Sequence, residues 1–171
     1  RSRLPEAMAR ERLAGKVGVY FLFGNEQETD KDLVYVGETE DCYRRLTEQD
    51  AQKEFWHTVV AVVSERFTKV HALNLEWTCI RKAREAGRFG VTNGSNGAEH
   101  SVPETMRADL ANDVEELEVL TSALGYRLFE PHVRRPGADV FYLNGPDCEA
   151  NGELADEGFT VFAGSRARKE L

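Results

Sequence analysis

The spacing of apolar residues changes period several times along the chain, and each change marks an element. "PEAMARERL" (5–13) begins on Pro and carries apolar residues at helical spacing, which predicts a short leading helix. "VGVYFLF" (17–23) and "LVYVG" (33–37) are aromatic and β-branched and are joined by the polar loop "GNEQETDKD", which predicts an antiparallel hairpin. Thr39 or Asp41 stands where it can cap a helix carrying Cys42, Tyr43, Arg44, Arg45 and Leu46. "FWHTVVAVVS" (55–64), dense in Val, predicts a third strand, and a helix over 69–85 follows, stopped by Gly87. "TNGSNG" (92–97) is turn chemistry. Met106, Leu110, Val114, Leu117, Leu120 and Leu124 then recur at helical spacing until Gly125, which predicts a long helix over 103–124.

"FEPHVRRPG" (129–137) reads as a linker, after which the period changes again. "DVFYLNG", "CEANGEL" and "GFTVFAGS" predict short strands between turn dipeptides, with Ser165 set to cap a helix starting at Arg166. The expected fold class is α/β (α+β): a small, three-stranded, mainly antiparallel sheet flanked by helices over 1–128, then a linker, then a β-rich segment over 138–171. A unit of that size is small for independent stability, and it reads as cut short by the end of the chain.

Composition narrows the class. With 171 residues, 41% hydrophobic and 30% charged, the chain can bury a core in one or two small domains. No apolar run approaches the ~18 residues of a membrane span, so no membrane partner is expected. The first residue is Arg and no apolar signal segment follows, so the N-terminus reads as a trimmed boundary and secretion is unsupported. Cys42, Cys79 and Cys148 are odd in number and contain no C-x-x-C pair, which argues against a disulfide framework or a zinc site and fits a reducing cytoplasm. The net charge of −8 is uneven: residues 1–100 carry 15 Lys and Arg against 16 Asp and Glu, while 101–171 carry 7 against 14. The acidity therefore belongs to the second half, and the first half holds a basic cluster of Arg81, Lys82, Arg84 and Arg88 that can face an anionic partner.

One position breaks the helical pattern. In "NLEWTCIRKA" (74–83) the neighbours of Glu76 three and four residues away are Ala72, Leu73, Cys79 and Ile80, with Ala83 a turn further on. A carboxylate inside an apolar stripe costs free energy unless something compensates it, either a nearby arginine or a bound cation.

"GVY" (18–20) and "YVG" (35–37), on consecutive predicted strands, resemble the paired signature of the GIY-YIG nucleases, metal-dependent DNA endonucleases. Arg45 eight residues after Gly37, Glu76 on the later helix and Asn93 or Asn96 in the following turn extend the resemblance over roughly 16–128. "GVYFLFG", "FW", "REAGRF" followed by "NG", and "NGELADEGFTVFAGSRARKEL" further resemble a bacterial subgroup with a small C-terminal domain of unknown function. The resemblance implies hydrolysis of a DNA phosphodiester, with RNA excluded by no residue. Glu76 would be the single protein ligand of Mg²⁺ or Mn²⁺, an ion that accepts such an incomplete shell. Arg45 would hold the scissile phosphate with its guanidinium fork. Tyr20 and Tyr35 would flank the water, one of them as general base, which requires a pKa depressed below the phenol's usual ~10. Asn93 or Asn96 would fix the loop, and Gly37, Arg44, Arg81, Arg84 and Asn96 would line the substrate.

Each residue also has a plainer reading: Arg45 as an ion-pair partner of Asp41, the tyrosines as core strand residues, "RKAR" as a solvated face. Two departures from the family pattern stand out. Gln49 takes the place of a His found four residues after the motif arginine in many members, and Glu38 takes the place of a Lys found directly after the second motif in some. A carboxylate at position 38 would repel a phosphate. The rival expectation is a module that keeps the fold without catalysis and docks nucleic acid or protein.

Overall fold

Both aromatic runs form strands and pair as a hairpin. In the computed structural model the described residues are 6–26, 31–131, 140–155, 158–162 and 164–166, without the side chains of 6–9 and 155. Two compact units divide the chain, residues 1–132 and 133–171.

The first unit runs α1 (Glu6–Leu13), β1 (Gly18–Asn25), β2 (Asp32–Thr39), α2 (Cys42–Gln52), β3 (Trp56–Val63), α3 (Lys69–Ala86), β4 (Gly90–Val91) and α4 (Glu104–Ala123). The sheet order is β3-β1-β2-β4, with β1 antiparallel to both β2 and β3. β4 is an addition to the three strands expected: two residues pair parallel to β2, Leu33 with Gly90 and Val34 with Val91. So short a pairing leaves no periodicity to read.

β1 is central, which explains its unbroken apolar run: Val19, Phe21 and Phe23 face one core, Tyr20 and Leu22 the other. The first core takes Leu75, Cys79, Ile80 and Ala83 from α3 and Val114 and Leu117 from α4; the second takes Leu46 from α2 and Trp56. Asp41 caps α2 by accepting from the backbone N–H of Arg44 at 3.1 Å, so of the two candidate caps it is the aspartate that serves. Gly87, at φ 69°, ends α3 in the left-handed conformation expected of it.

The long helix is present, but its apolar line departs from expectation near the end. Val114, Leu117 and Thr121 are buried, whereas Leu120 is 47% and Leu124 59% exposed. At 3.6 residues per turn position 121, not 120, continues the inward row from 114 and 117, and Leu124 lies past the last helical residue. Thr121 satisfies its hydroxyl by donating to the carbonyl of Leu117 at 2.8 Å. Phe129 and Glu130, expected in a linker, belong to this unit: the Phe129 ring meets Phe21 edge-on at 6.2 Å, and Arg88 Nε donates to the Glu130 carbonyl at 2.6 Å. Residues 132–137 of that linker lie outside the described residues.

The second unit is an antiparallel meander of β5 (Val140–Gly145), β6 (Cys148–Ala155) and β7 (Gly158–Val161). Ser165 does not cap a helix at Arg166. Its hydroxyl donates to Asn151 O and accepts from Asn151 N, and Arg166 forms a β-bridge with Glu149. Cys42, Cys79 and Cys148 are free thiols. Among the described residues no helix is long and apolar enough to cross a membrane.

Candidate active site

Gly37 is the pivot of the site. The hairpin register sets it directly opposite Tyr20, and a Cβ built on it would lie 2.3 Å from Tyr20 Cζ and 2.4 Å from its Oη. The phenol therefore lies across the glycine. Gly37 is not among the positive-φ residues, so glycine stands here for space and not for backbone conformation. Gly18 is similar, since its Cβ would meet Val62 O at 2.3 Å and Cys42 Sγ at 3.0 Å.

Tyr20 is fully buried, and its ring centroid is 6.2 Å from that of the half-buried Tyr35. Burial pushes the Tyr20 hydroxyl well above the usual phenol value; Tyr35 adds to this, the Arg45 guanidinium pulls it back, and Glu76 raises it again. The buried hydroxyl has no well-formed hydrogen-bond partner among the described residues, and the Arg45 guanidinium is the cationic group that acts on it. Burial thus works against a general-base role for Tyr20 in the metal-free chain, and at zero exposure Tyr20 touches no solvent.

Arg45 comes from α2. Burial pulls its guanidinium down, but Tyr20, Glu48 and Tyr35 outweigh that, so it stays cationic. Its side-chain partner is Glu48 at 3.2 Å, three residues on, rather than Asp41, which is occupied as the helix cap. Arg44 holds the other oxygen of the same carboxylate at 3.0 Å and is otherwise exposed.

Glu76 comes from α3 and is half-buried among the apolar neighbours that its position implied, of which Ala72, Cys79, Ile80 and Ala83 are buried. Burial raises its carboxyl pKa and the neighbouring Glu38 carboxylate raises it further, while the backbone N–H of Glu38, Lys69 and Arg45 oppose the rise. Tyr20 of β1 is therefore acted on by Tyr35 of β2, Arg45 of α2 and Glu76 of α3 together.

The loop after α3 is tied beside them. Thr92 N donates to Val34 O at 2.9 Å as the last backbone rung beyond β4, and the Asn93 side chain then takes over. Its Oδ1 accepts from Val36 N at 3.0 Å and its Nδ2 donates to Val36 O at 2.7 Å. Of the two candidate asparagines, Asn93 is thus the fastener and Asn96 an exposed turn residue; a Cβ on the adjacent Gly97 would stand 3.9 Å from Glu76 Oε2. We expect Asn93→Ala to strip both bonds from Val36, costing about 1–3 kcal/mol. Hydrogen exchange checks this: the Val36 amide should lose protection, and an unchanged rate would contradict the role.

The expected substrate-lining residues fare differently. Gly37 is covered by the Tyr20 phenol. Arg84 Nη2 donates to Asn93 O at 2.6 Å, and Arg81 pairs with Glu85 at 2.9 Å and lies 5.3 Å over the Trp77 ring. Lys82 pairs with Glu118 and Arg88 with the Glu130 carbonyl, so every member of the basic cluster has an internal partner. The buried Gln49 adds an amide oxygen without a hydrogen-bond partner among the described residues.

Two residues at the site had escaped sequence reasoning. Asn74, 5% exposed, donates to Val70 O at 2.9 Å and accepts from His100 N at 3.1 Å, anchoring the far end of the loop; a poor helix former in mid-helix was the available signal. Lys69 grips Glu38, and nothing local announces it. A cleft of about 420 Å³ between α3, α4 and the loop is lined by Trp77, His100, Arg107 and Leu110, among others, and by none of the four converging residues. The chemistry and the cleft are separate features. No family model, curated protein or solved structure matches this chain.

Proposed function

We propose that the first unit is a divalent-metal-dependent endonuclease of the GIY-YIG kind, hydrolysing DNA phosphodiester bonds by a one-metal mechanism. One observation carries this reading: Tyr20 lies over Gly37 with its ring centroid 6.2 Å from that of Tyr35, and Arg45 and Glu76 both act on its hydroxyl, although the four come from β1, β2, α2 and α3. A binding module has no physical need for all four together.

Glu76 suits Mg²⁺ or Mn²⁺, ions that keep several waters and take one or two carboxylates. It is a half-buried carboxylate whose pKa is raised by burial and by Glu38 in spite of Lys69 and Arg45, so a further cation beside it would stabilise its charged form. Such an ion, when bound, supplies Lewis-acid stabilisation of the charge developing on the phosphate. Arg45, kept cationic and steadied by Glu48, holds the scissile phosphate and meets the same developing charge. Tyr35, half-buried, orients the attacking water, while the sealed Tyr20 acts through Arg45 as a positioning residue. Three free cysteines suit a reducing compartment such as the cytoplasm.

The second reading, a non-catalytic docking module, is favoured by the burial of Tyr20 and the internal partners of Arg44, Arg81 and Arg84. A cleavage assay separates the two. Supercoiled, nicked, branched and single-stranded DNA, with an RNA arm, is incubated with Mg²⁺, Mn²⁺ or EDTA. We expect divalent-dependent nicking or cutting of DNA, and no product on any substrate with either metal would favour the docking module.

A further inference from the structure

Glu38 follows Gly37 directly and stands beside Glu76, an arrangement that on its own repels a phosphate. The structure answers it from 31 residues away: Lys69 Nζ lies 2.8 and 2.6 Å from the two Glu38 oxygens, with side-chain exposures of 41% for the lysine and 16% for the glutamate. Lys69 is the first residue of α3, one after its cap Thr68. A helix N-terminus favours anions, so an ammonium here works against the helix dipole and is held in place by the carboxylate. Two of its three N–H bonds are engaged by Glu38, and the side chain remains open to solvent. The pair also acts on Glu76 with opposite signs, which puts all three groups in one electrostatic neighbourhood.

We infer that Lys69 contacts a backbone phosphate of the bound DNA next to the one held by Arg45, and that Glu38 is the positioning residue that aims it. The inference rests on the nuclease reading for its location, though its first readout needs no cleavage. An ammonium pinned by two short bonds has lost its rotamer freedom before DNA arrives, so the contact costs less entropy than one made by a free surface lysine. Glu38 thus turns from an obstacle into the means of placing a cation.

The test uses the full chain and a fluorescein-labelled DNA duplex in EDTA, with anisotropy followed against salt. Lys69→Gln should weaken binding and reduce the log–log salt slope by about 0.9, the loss of one phosphate contact, and Lys69→Arg should restore the slope. Glu38→Gln should leave the slope at the wild-type value, since the cation survives. With Mg²⁺ its kcat should fall by about 10- to 100-fold, since the ammonium is no longer aimed. A wild-type slope in Lys69→Gln overturns the inference, as does Glu38→Gln with unchanged kcat in an active enzyme. Should Lys69→Gln fail to fold, Lys69→Arg against Lys69→Met gives the same comparison. If the wild type cuts DNA and the Lys69 variants keep its slope, the inference falls and the nuclease reading stands. If the wild type cuts nothing but Lys69→Gln flattens the slope, the reverse holds, and absence of DNA binding by the wild type overturns both.

Discussion

Glu76→Gln is expected to lose DNA cleavage by about 10²–10³-fold or more while the protein keeps its fold. The amide keeps the shape of the side chain and can still accept from the Glu38 N–H, so what is removed is the charge. That charge is a burden on the metal-free protein: burial and Glu38 raise the Glu76 pKa in the folded state above its unfolded value. An acid with a raised folded pKa binds more protons folded than unfolded, so it takes stability away as pH rises from the ordinary carboxylate value of ~4.3 through its own raised value. Above that window Glu76→Gln should therefore be at least as stable as wild type, and the difference should close as pH falls through it. Mg²⁺ should stabilise only the wild type, by about 2.7 kcal/mol at a hundredfold excess over Kd. Thermal melts of both proteins, with and without Mg²⁺ and from acidic to neutral pH, read all of this. If Glu76 were instead half of a buried ion pair, its loss would cost about 3–5 kcal/mol and neither protein would respond to metal.

Gly37→Ala is expected to damage stability and activity together, because the new methyl falls 2.3 Å from Tyr20 Cζ and 2.4 Å from its Oη. The phenol is fully buried and the backbone on both sides is locked in the hairpin, so neither partner can step aside without breaking packing. Overpacking of this kind costs about 1–3 kcal/mol. Moving Tyr20 also moves the group that faces Arg45, so cleavage should fall by more than the fraction unfolded explains. Tyr20→Leu removes the ring that the methyl would strike. A double-mutant cycle should accordingly show strong coupling, with Gly37→Ala nearly neutral in the Tyr20→Leu background. A Gly37→Ala variant as stable as wild type, with Tyr20 unmoved, would contradict the close contact. Equal costs in both backgrounds would place the strain elsewhere.

Much of this fold was legible because its signals are local. The aromatic runs of β1 and β2, the valines of β3, the cap at Asp41 and the stop at Gly87 are each decided by a few adjacent residues and by backbone sterics. The anomaly of Glu76 was legible for the same reason, since a helix fixes which residues lie three and four positions away. The grouping of Tyr20, Tyr35, Arg45 and Glu76 came from a resemblance in their order and spacing, not from any periodicity. What periodicity cannot say is which neighbour a face meets. Lys69 on Glu38, Arg84 on the Asn93 carbonyl, Lys82 on Glu118 and the Asn93 amide on Val36 join residues 9 to 57 apart, and they exist only because α3 packs between β2, the following loop and α4. The sealing of Tyr20 over Gly37 depends likewise on cross-strand register. The elements and the out-of-place carboxylate follow from contacts within a turn or a strand. The partners of the charges do not, because an ion pair or a buried hydroxyl is settled by what the packing of distant elements brings beside it.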